Sequence, residues 1–420
     1  MYWHETTGSY AIPFSFLWFC GDKAAGRRER RILAVYTVWT TDLSAGRCGV
    51  EPSVSSMSLM EMRGDKRVQE PKKADSATST DASELSVPPA GEAPPRRPWR
   101  KPLRVALIGV PILGLLLLVC AVSILCVLVS RNRVPLTVRL GYKATDRLLI
   151  VNADDGAMCQ PANDAIIQGM EKGMITSATL MVPCPGFPAM AEYARAHPDM
   201  DLGVHLTHTA EWKTHRWGPL LPADEVPGLI DPTGCMWPKV QGENGVYGHS
   251  NPSECRRESI AQIDKALTDG IDITHIDSHM GTMQYDLRYY LQYIRLALAY
   301  DVPLRMPSQD LLEKHGAGRL RFLLRGLGLV FPDHLIMGDK QGKTAKEHWL
   351  SVLSNLAPGV TEIYIHPAIA GDELRSITNS WRWRNGEYGA FLDDPDMRSL
   401  LQDKNIVLIG YRELRDLQRR

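Results

Sequence analysis

The chain has 420 residues, 44% of them apolar and 23% charged, with 48 basic side chains against 48 acidic ones. At about 100 to 200 residues per domain this leaves room for two or three domains, and the even charge balance gives no electrostatic footing for nucleic acid as a partner. The eight cysteines form no CxxC pair, which argues against a zinc ribbon or a thioredoxin-type redox site.

Residues 1–63 carry neither a sustained helical nor a sustained strand period and form an uncharacterised segment, in which Met57, Met60 and Met62 offer alternative starts. Residues 64–104 are rich in Pro, Ser, Ala and charge. Such a composition buries too little apolar surface to offset ordering entropy and predicts a disordered tail. Residues 105–129 (VALIGVPILGLLLLVCAVSILCVLV) contain no charge. About 20 apolar residues suffice to cross a bilayer core, and core helices rarely stay apolar on every face for so long, so a single transmembrane helix in contact with lipid is expected. A cleaved signal peptide fits worse, because its apolar stretch is usually about 7 to 15 residues and lies at the N-terminus. Arg96, Arg97, Arg100, Lys101 and Arg104 precede the span, whereas Arg131, Arg133, Arg139 and Lys143 are spread out behind it. The positive-inside rule then places the N-terminus in the cytoplasm and the C-terminal domain on the non-cytoplasmic side.

Over 144–420 short apolar runs alternate with amphipathic helical patterns, the texture of βα units on a parallel sheet. Strands are predicted at 147–152, 177–182, 202–207, 273–277, 303–306, 334–337, 361–366 and 406–410. Helices are predicted at 162–172, 187–196, 254–268, 287–300, 311–327, 345–356 and 388–403. Seven or eight such units in a stretch of this length suit a (β/α) TIM-like barrel, which typically takes about 250 residues, better than an open three-layer sheet. The connection from Thr209 to Ser250 is rich in Trp, Pro and Gly, and a loop that long in a compact domain is usually functional.

The chemistry gathers at the strand ends. Asp154 and Asp155 follow RLLIVN, and His205, His275 with His279, and His366 terminate three further predicted strands. In a parallel barrel those ends share the active face. One carboxylate and two imidazoles can hold a divalent ion with positions left open, while a second carboxylate stays off the ion as a general base. Adjacent strand residues point to opposite faces, so both carboxylates reach one site only if the chain leaves strand geometry there, a departure that Gly156 would permit. Trp212, Lys213, Arg216 and Trp217 combine flat apolar faces with cationic donors suited to a sugar ring. Arg305, at a predicted strand end, is a further substrate-contact candidate. Cys159 has no basic neighbour in sequence and reads as a packed thiol; a disulfide among Cys159, Cys184, Cys235 and Cys255 is open if the domain is exported.

The blocks VNADDGAMCQPANDAI, SATLMV, LGVHLT, HIDSHMG, EIYIHPA and NGEYGAFLDDPDMRSLLQDKNIVLIGYREL occur in that order from residue 147 to the C-terminal region. In these the chain resembles the YdjC-like carbohydrate deacetylases, which include the chitooligosaccharide deacetylases and are distant relatives of the polysaccharide deacetylases of carbohydrate esterase family 4. The resemblance implies a deformed (β/α) barrel and removal of an N-acetyl group from an amino-sugar carbohydrate with one divalent cation, Mg or Zn. It implies Asp155, His205 and His279 as metal ligands, Asp154 as base and His366 as general acid, with His275 behind them and Asp277 orienting His279. The chain departs from the family pattern at Gly156 and Ala157, where Phe and Gly commonly stand, and at Gln160, where His is frequent; this bears on sugar specificity. Two other readings fit the same residues: a metal-dependent hydrolase of another amide or ester, and a catalytically silent, membrane-tethered carbohydrate-binding module.

Overall fold

A computed structural model describes residues 103–420 except 339–341, together with the backbone of Ser15–Phe19 and Ile32–Tyr36. Those two segments pair as antiparallel strands inside a unit that spans Met1–Arg96, separate from the unit Arg97–Arg420. The sequences SFLWF and ILAVY are rich in aromatic and β-branched residues that suit a pleated backbone. The tail expected over 64–104 lies outside the described residues except at 103–104, where a long helix, Leu103–Arg133, begins. Its residues 116–133 have a mean hydropathy of 1.8 with none of the stretch buried, so by length and composition it can cross a membrane.

Seven parallel strands follow: β1 (Arg147–Gly156), β2 (Ser177–Leu180), β3 (Leu202–Leu206), β4 (Ile273–Ser278), β5 (His334–Met337), β6 (Gly359–Ile365) and β7 (Ile406–Leu408). They are ordered β4-β3-β2-β1-β6-β5. β7 lies against the first part of β1, pairing Arg147 with Ile406 and Leu149 with Leu408, while β2 joins the same edge further along, pairing Asn152 with Ser177. Pro303–Met306, expected as a strand, contributes one parallel bridge from Leu304 to Ile276. The expected TIM-like barrel is thus realised as a curled half-barrel.

Alternation along β1 sorts the core. Leu149, Val151 and Ala153 join Phe187, Tyr293, Trp349, Ile363 and Ile365 in the main apolar cluster. Leu148 and Ile150 join Val360, Ile409, Tyr411 and Leu136 in a second cluster at the start of the strands. On that same parity, two and four residues beyond Ile150, come Asn152 and Asp154, so the interior passes from apolar to polar as it rises toward the strand ends.

The helices Phe187–Ala196 and Leu287–Tyr300 match their predicted limits. Two predicted helices are each broken in two. The stretch 311–327 becomes Gln309–Lys314 and Leu320–Gly326, with Gly316 between them at φ 70°. The stretch 388–403 becomes Trp381–Asp393 and Pro395–Asp403, because a proline removes a backbone donor and Asp394 caps the second helix through the Asp396 and Met397 N–H groups. Cys159, Cys184, Cys235 and Cys255 are all free thiols, so no disulfide links them.

Asp201, just before β3, ties the C-terminal helix to the sheet. Its buried carboxylate accepts the Arg412 N–H at 2.6 Å and the Thr274 hydroxyl, and Gly410 packs so closely that a side chain there would overlap it. Burial pushes the Asp201 carboxyl up to about 6. A carboxyl raised on folding stabilises the fold below its unfolded value near 4, and that contribution is lost as pH rises through about 6. Asp201→Asn, neutral throughout, should therefore gain on the wild type by about 2 kcal/mol between pH 4 and pH 7. Denaturant titrations of both proteins across this range check it, and a pH-independent difference would refute it.

Candidate active site

At the end of β1 the chain departs from strand geometry. Asp155 and Ala157 adopt left-handed φ of 60° and 73°, and the pairing with β2 shifts register between Ala153 and Gly156. That departure lets two neighbouring carboxylates serve one site. Gly156 plays a different part from the expected one, because the left-handed residues are its neighbours. It is required by close packing: a side-chain carbon there would lie 2.6 Å from Leu180 Cδ2 and 3.0 Å from the Thr179 carbonyl.

Asp154 belongs to a buried ionic layer. Arg305 donates to both its oxygens, Nη1 to Oδ2 at 2.7 Å and Nη2 to Oδ1 at 2.6 Å, and Asn152 adds a bond to Oδ1 at 2.9 Å. The same guanidinium reaches Asp277 at 3.0 Å and Glu362 at 2.8 Å. Burial alone would raise the Asp154 carboxyl, but Arg305 outweighs it and holds the group down to about 2. Glu362, pushed up by burial to about 7, also accepts the Tyr411 hydroxyl. Arg305, expected to touch substrate, is thus committed to three carboxylates inside the half-barrel.

Asp155 faces a different environment. Arg384 Nη2 holds its Oδ2 at 2.6 Å, while Oδ1 is buried without a hydrogen-bond partner. That free oxygen lies 3.4 Å from His205 Nε2 and 3.3 Å from His279 Nδ1. The far side of each imidazole is held by an acid: His205 Nδ1 by Asp277 at 2.6 Å, and His279 Nε2 by Glu211 at 2.9 Å. Asp277 therefore orients His205 rather than His279. The reason is that β4 ends at Ser278, and His279 enters a turn with Met280 at φ 51°.

Burial disfavours charge on both imidazoles, yet Asp277 lifts His205 to about 10 and Glu211 lifts His279 to about 9, with Asp155 adding to each. Burial likewise opposes the charge of Asp155, but Arg384 and the two histidines hold it well below the usual carboxylate range. The pocket thus favours positive charge at the free oxygen of Asp155. Asp155, His205 and His279 can bring one donor atom each within 4.8 Å of one another, as can Asp154, His205 and Asp277. The two trios differ in what is free: Asp155 keeps one oxygen without a partner, whereas Arg305 pairs with both acids of the second trio. Acids behind ligating imidazoles are the usual supports of such a site.

His366 follows β6 with its ring 5.9 Å from that of Tyr364, and its backbone N–H donates to Glu387 Oε2 at 2.8 Å. Burial lowers its pKa, Asp155 opposes the shift, and Arg384 reinforces it, so the imidazole is neutral near pH 7. His275 lies deeper, stacked on Tyr411 at 3.7 Å and bonded to Asn152 Oδ1 at 3.1 Å. In the long loop, Trp212 is partly buried with its ring 6.2 Å from His279, and Lys213 is exposed. Trp217, expected as a sugar-stacking face, is only 4% exposed and packs with Met158, Cys184 and Met236. Arg216 is tied to Asp231 at 2.8 Å and to the Met236 carbonyl at 2.6 Å, which pins the loop to itself.

Glu211, Arg384, Glu362 and Glu387 escaped the sequence reading. Glu211 stands beside Trp212 in a segment already singled out, and that proximity was its one available signal. Arg384 comes from a helix 229 residues beyond Asp155, and no local spacing announces the pair.

Known proteins are similar to the stretch of chain that carries this constellation. A carbohydrate deacetylase of Thermoanaerobacter pseudethanolicus is 29% identical over 265 residues, which are 63% of this chain and 98% of that protein. One of Geobacillus stearothermophilus is 30% identical over 268 residues, 64% of this chain and 98% of the relative. The crystal structure of an Enterococcus faecalis protein, described there in terms of cellobiose-phosphate cleavage, superposes with a TM-score of 0.54 at 26% identity, covering 64% of this chain and 99% of that one. Residues 148–403, more than half of the chain, match the model of the family described as YdjC-like protein, and the chain belongs to that family.

Proposed function

We propose that the C-terminal domain hydrolyses the acetamido group of an N-acetylated amino-sugar carbohydrate, and that the helix Leu103–Arg133 anchors it in a membrane with the domain on the non-cytoplasmic side. The observation that carries the catalytic reading is the unpartnered, buried Oδ1 of Asp155, faced by ring nitrogens of His205 and His279 at 3.4 and 3.3 Å. The names of the relatives supply the substrate class. The anchoring rests on the charge-free run of residues 105–129 and its basic N-terminal flank.

Asp155, His205 and His279 would hold one divalent cation, with Zn or Mg the candidates. Bound there, it supplies Lewis acidity, polarising the acetyl carbonyl and lowering the pKa of water. The remaining work falls to the chain. Arg305 keeps Asp154 ionised above about pH 2 but occupies both of its oxygens, so Asp154 takes the proton of water only as one of those hydrogen bonds gives way. A carboxyl that acidic gives the proton up readily. His366 starts neutral and needs that proton before it can act as an acid. Water thus loses a proton through Asp154 as its oxygen bonds to the acetyl carbon. His366 delivers a proton to the nitrogen as the C–N bond breaks, leaving a free amine and acetic acid, which releases its proton to solvent as acetate. Trp212 and Lys213 at the mouth are the sugar contacts in this reading.

The full chain in detergent, offered N-acetylated oligosaccharides with Zn or Mg, should release acetate; absence of release with every amino sugar, alongside cleavage of other amides or esters, would favour the broader hydrolase reading. Asp155→Asn, His205→Ala and His279→Ala should each abolish tight metal binding in calorimetry. Asp154→Asn should retain the metal and lose turnover. Glu211→Gln and Asp277→Asn should weaken metal affinity by about 10- to 100-fold, the usual effect of removing a ligand's support; unchanged affinity in both would remove the trio as the metal site.

His366→Ala should reduce amide hydrolysis by about 10²- to 10⁴-fold and cleavage of an activated aryl acetate far less, because an aryl oxide departs without protonation. Parallel kinetics with melting curves check this. Equal losses on both substrates would refute the general-acid role.

A further inference from the structure

The long helix Leu103–Arg133 is fastened at its C-terminal end to the helix Leu320–Gly326. Leu128 packs so tightly on Gly326 that a side chain there would overlap it. Arg131 donates to the Gly326 carbonyl at 3.1 Å, and Asn132 Nδ2 to the Phe322 carbonyl at 3.0 Å. The fastened helix turns Arg321 and Leu324 inward but leaves Phe322 and Leu323 exposed by 37% and 40%, with Leu327 just beyond it at 53%. Leu311 on the preceding short helix is also exposed, as are Arg131, Arg133 and Arg319. These apolar side chains therefore stand level with the last turns of the apolar helix, next to cations.

We propose that this face is seated on a lipid surface, with Phe322, Leu323, Leu327 and Leu311 at the boundary of the acyl chains and the arginines among the phosphates. The proposal rests on the reading of Leu103–Arg133 as a membrane span. Continuity with that helix commits the occupant: the apolar surface of the span runs directly onto the apolar face of its neighbour. Interfacial helices combine an apolar face with arginines in the same way. The seated face is also the basal end of the sheet. Leu327 leads to Asp333, whose N–H bonds the Val360 carbonyl near the start of β6, while the acids and imidazoles lie at the opposite strand ends. β1 covers 10 residues between the two ends, about 30 Å at roughly 3.3 Å per residue. The site then opens away from the bilayer and takes a soluble or extended glycan rather than a sugar attached directly to a lipid headgroup.

The test places the photo-crosslinker p-benzoylphenylalanine singly at Leu118, Leu287, Leu323 or Leu327 of the full chain in nanodiscs of phosphatidylcholine and phosphatidylglycerol, with lipid adducts read by mass spectrometry. Leu118 lies within the apolar helix, and Leu287 starts a helix at the active end. Positions 323 and 327 should give adducts at yields comparable to 118, and 287 none. Adducts at 118 without any at 323 and 327 would overturn the seating while leaving the span intact. Crosslinks from 323 to a second copy of the chain would overturn it in favour of a protein interface. Absence of adducts at 118 as well would overturn the span reading, and the seating with it.

Discussion

The arrangement depends on keeping two adjacent buried carboxylates ionised a few ångströms apart. Like charges in a low-dielectric interior repel strongly, and one of the pair would ordinarily take up a proton. Here each acid has its own guanidinium. Arg305 rises from beside β4 to hold Asp154, and Arg384 comes from the helix Trp381–Asp393 to hold Asp155. Removing one partner of a buried pair typically destabilises by about 3–5 kcal/mol, because a charge is left without compensation. Both acids thereby remain charged in a setting that would otherwise neutralise one of them.

The two pairs are unequal in a way that divides labour. The Arg305 guanidinium engages both oxygens of Asp154 and two further acids, so this half of the site is electrically closed. Arg384 engages one oxygen of Asp155 and leaves the other bare toward two imidazoles. An incomplete pair next to a complete one is what separates a position that invites a cation from a position that stays free of one. Asp277 joins the halves, since it holds His205 and forms an ion pair with Arg305 at once.

The fold supplies these groups in layers. β1 carries apolar side chains at its start, Asn152 in the middle and the acids at its end, and the same progression is met from the other strands by Val360, then Glu362, and by His275, then Asp277. The buried polar groups directly beneath the paired acids hold one another: Asn152 joins Ser177 and His275, and Glu362 joins Tyr411. A satisfied network of this kind fixes the positions of the side chains above it. The left-handed backbone at Asp155 is held on such a base, as strained residues at functional sites generally are.

How much of this was legible beforehand follows from the range of the interactions. Local sequence determined the apolar helix around the charge-free run 105–129, the alternation of strands and helices, the limits of Phe187–Ala196 and Leu287–Tyr300, and the positions of Asp154, Asp155, His205, His279 and His366 at or just past strand ends, because each depends on residue type and on periods of two or 3.6 within a short window. It also announced that β1 must leave strand geometry at the paired acids, though it credited Gly156 with the conformation that Asp155 itself adopts. Tertiary structure alone decided which acid serves which base. Asp277 turns to His205 because His279 lies beyond the end of its strand, Glu211 reaches His279 from the long loop, Trp217 sinks into packing, and the arginine expected at the substrate closes a charge layer instead. These pairings join residues 68 to 229 positions apart. Charge interactions between buried groups are set by distance and solvent exclusion, and neither quantity exists until the sheet has curled and brought the strand ends together.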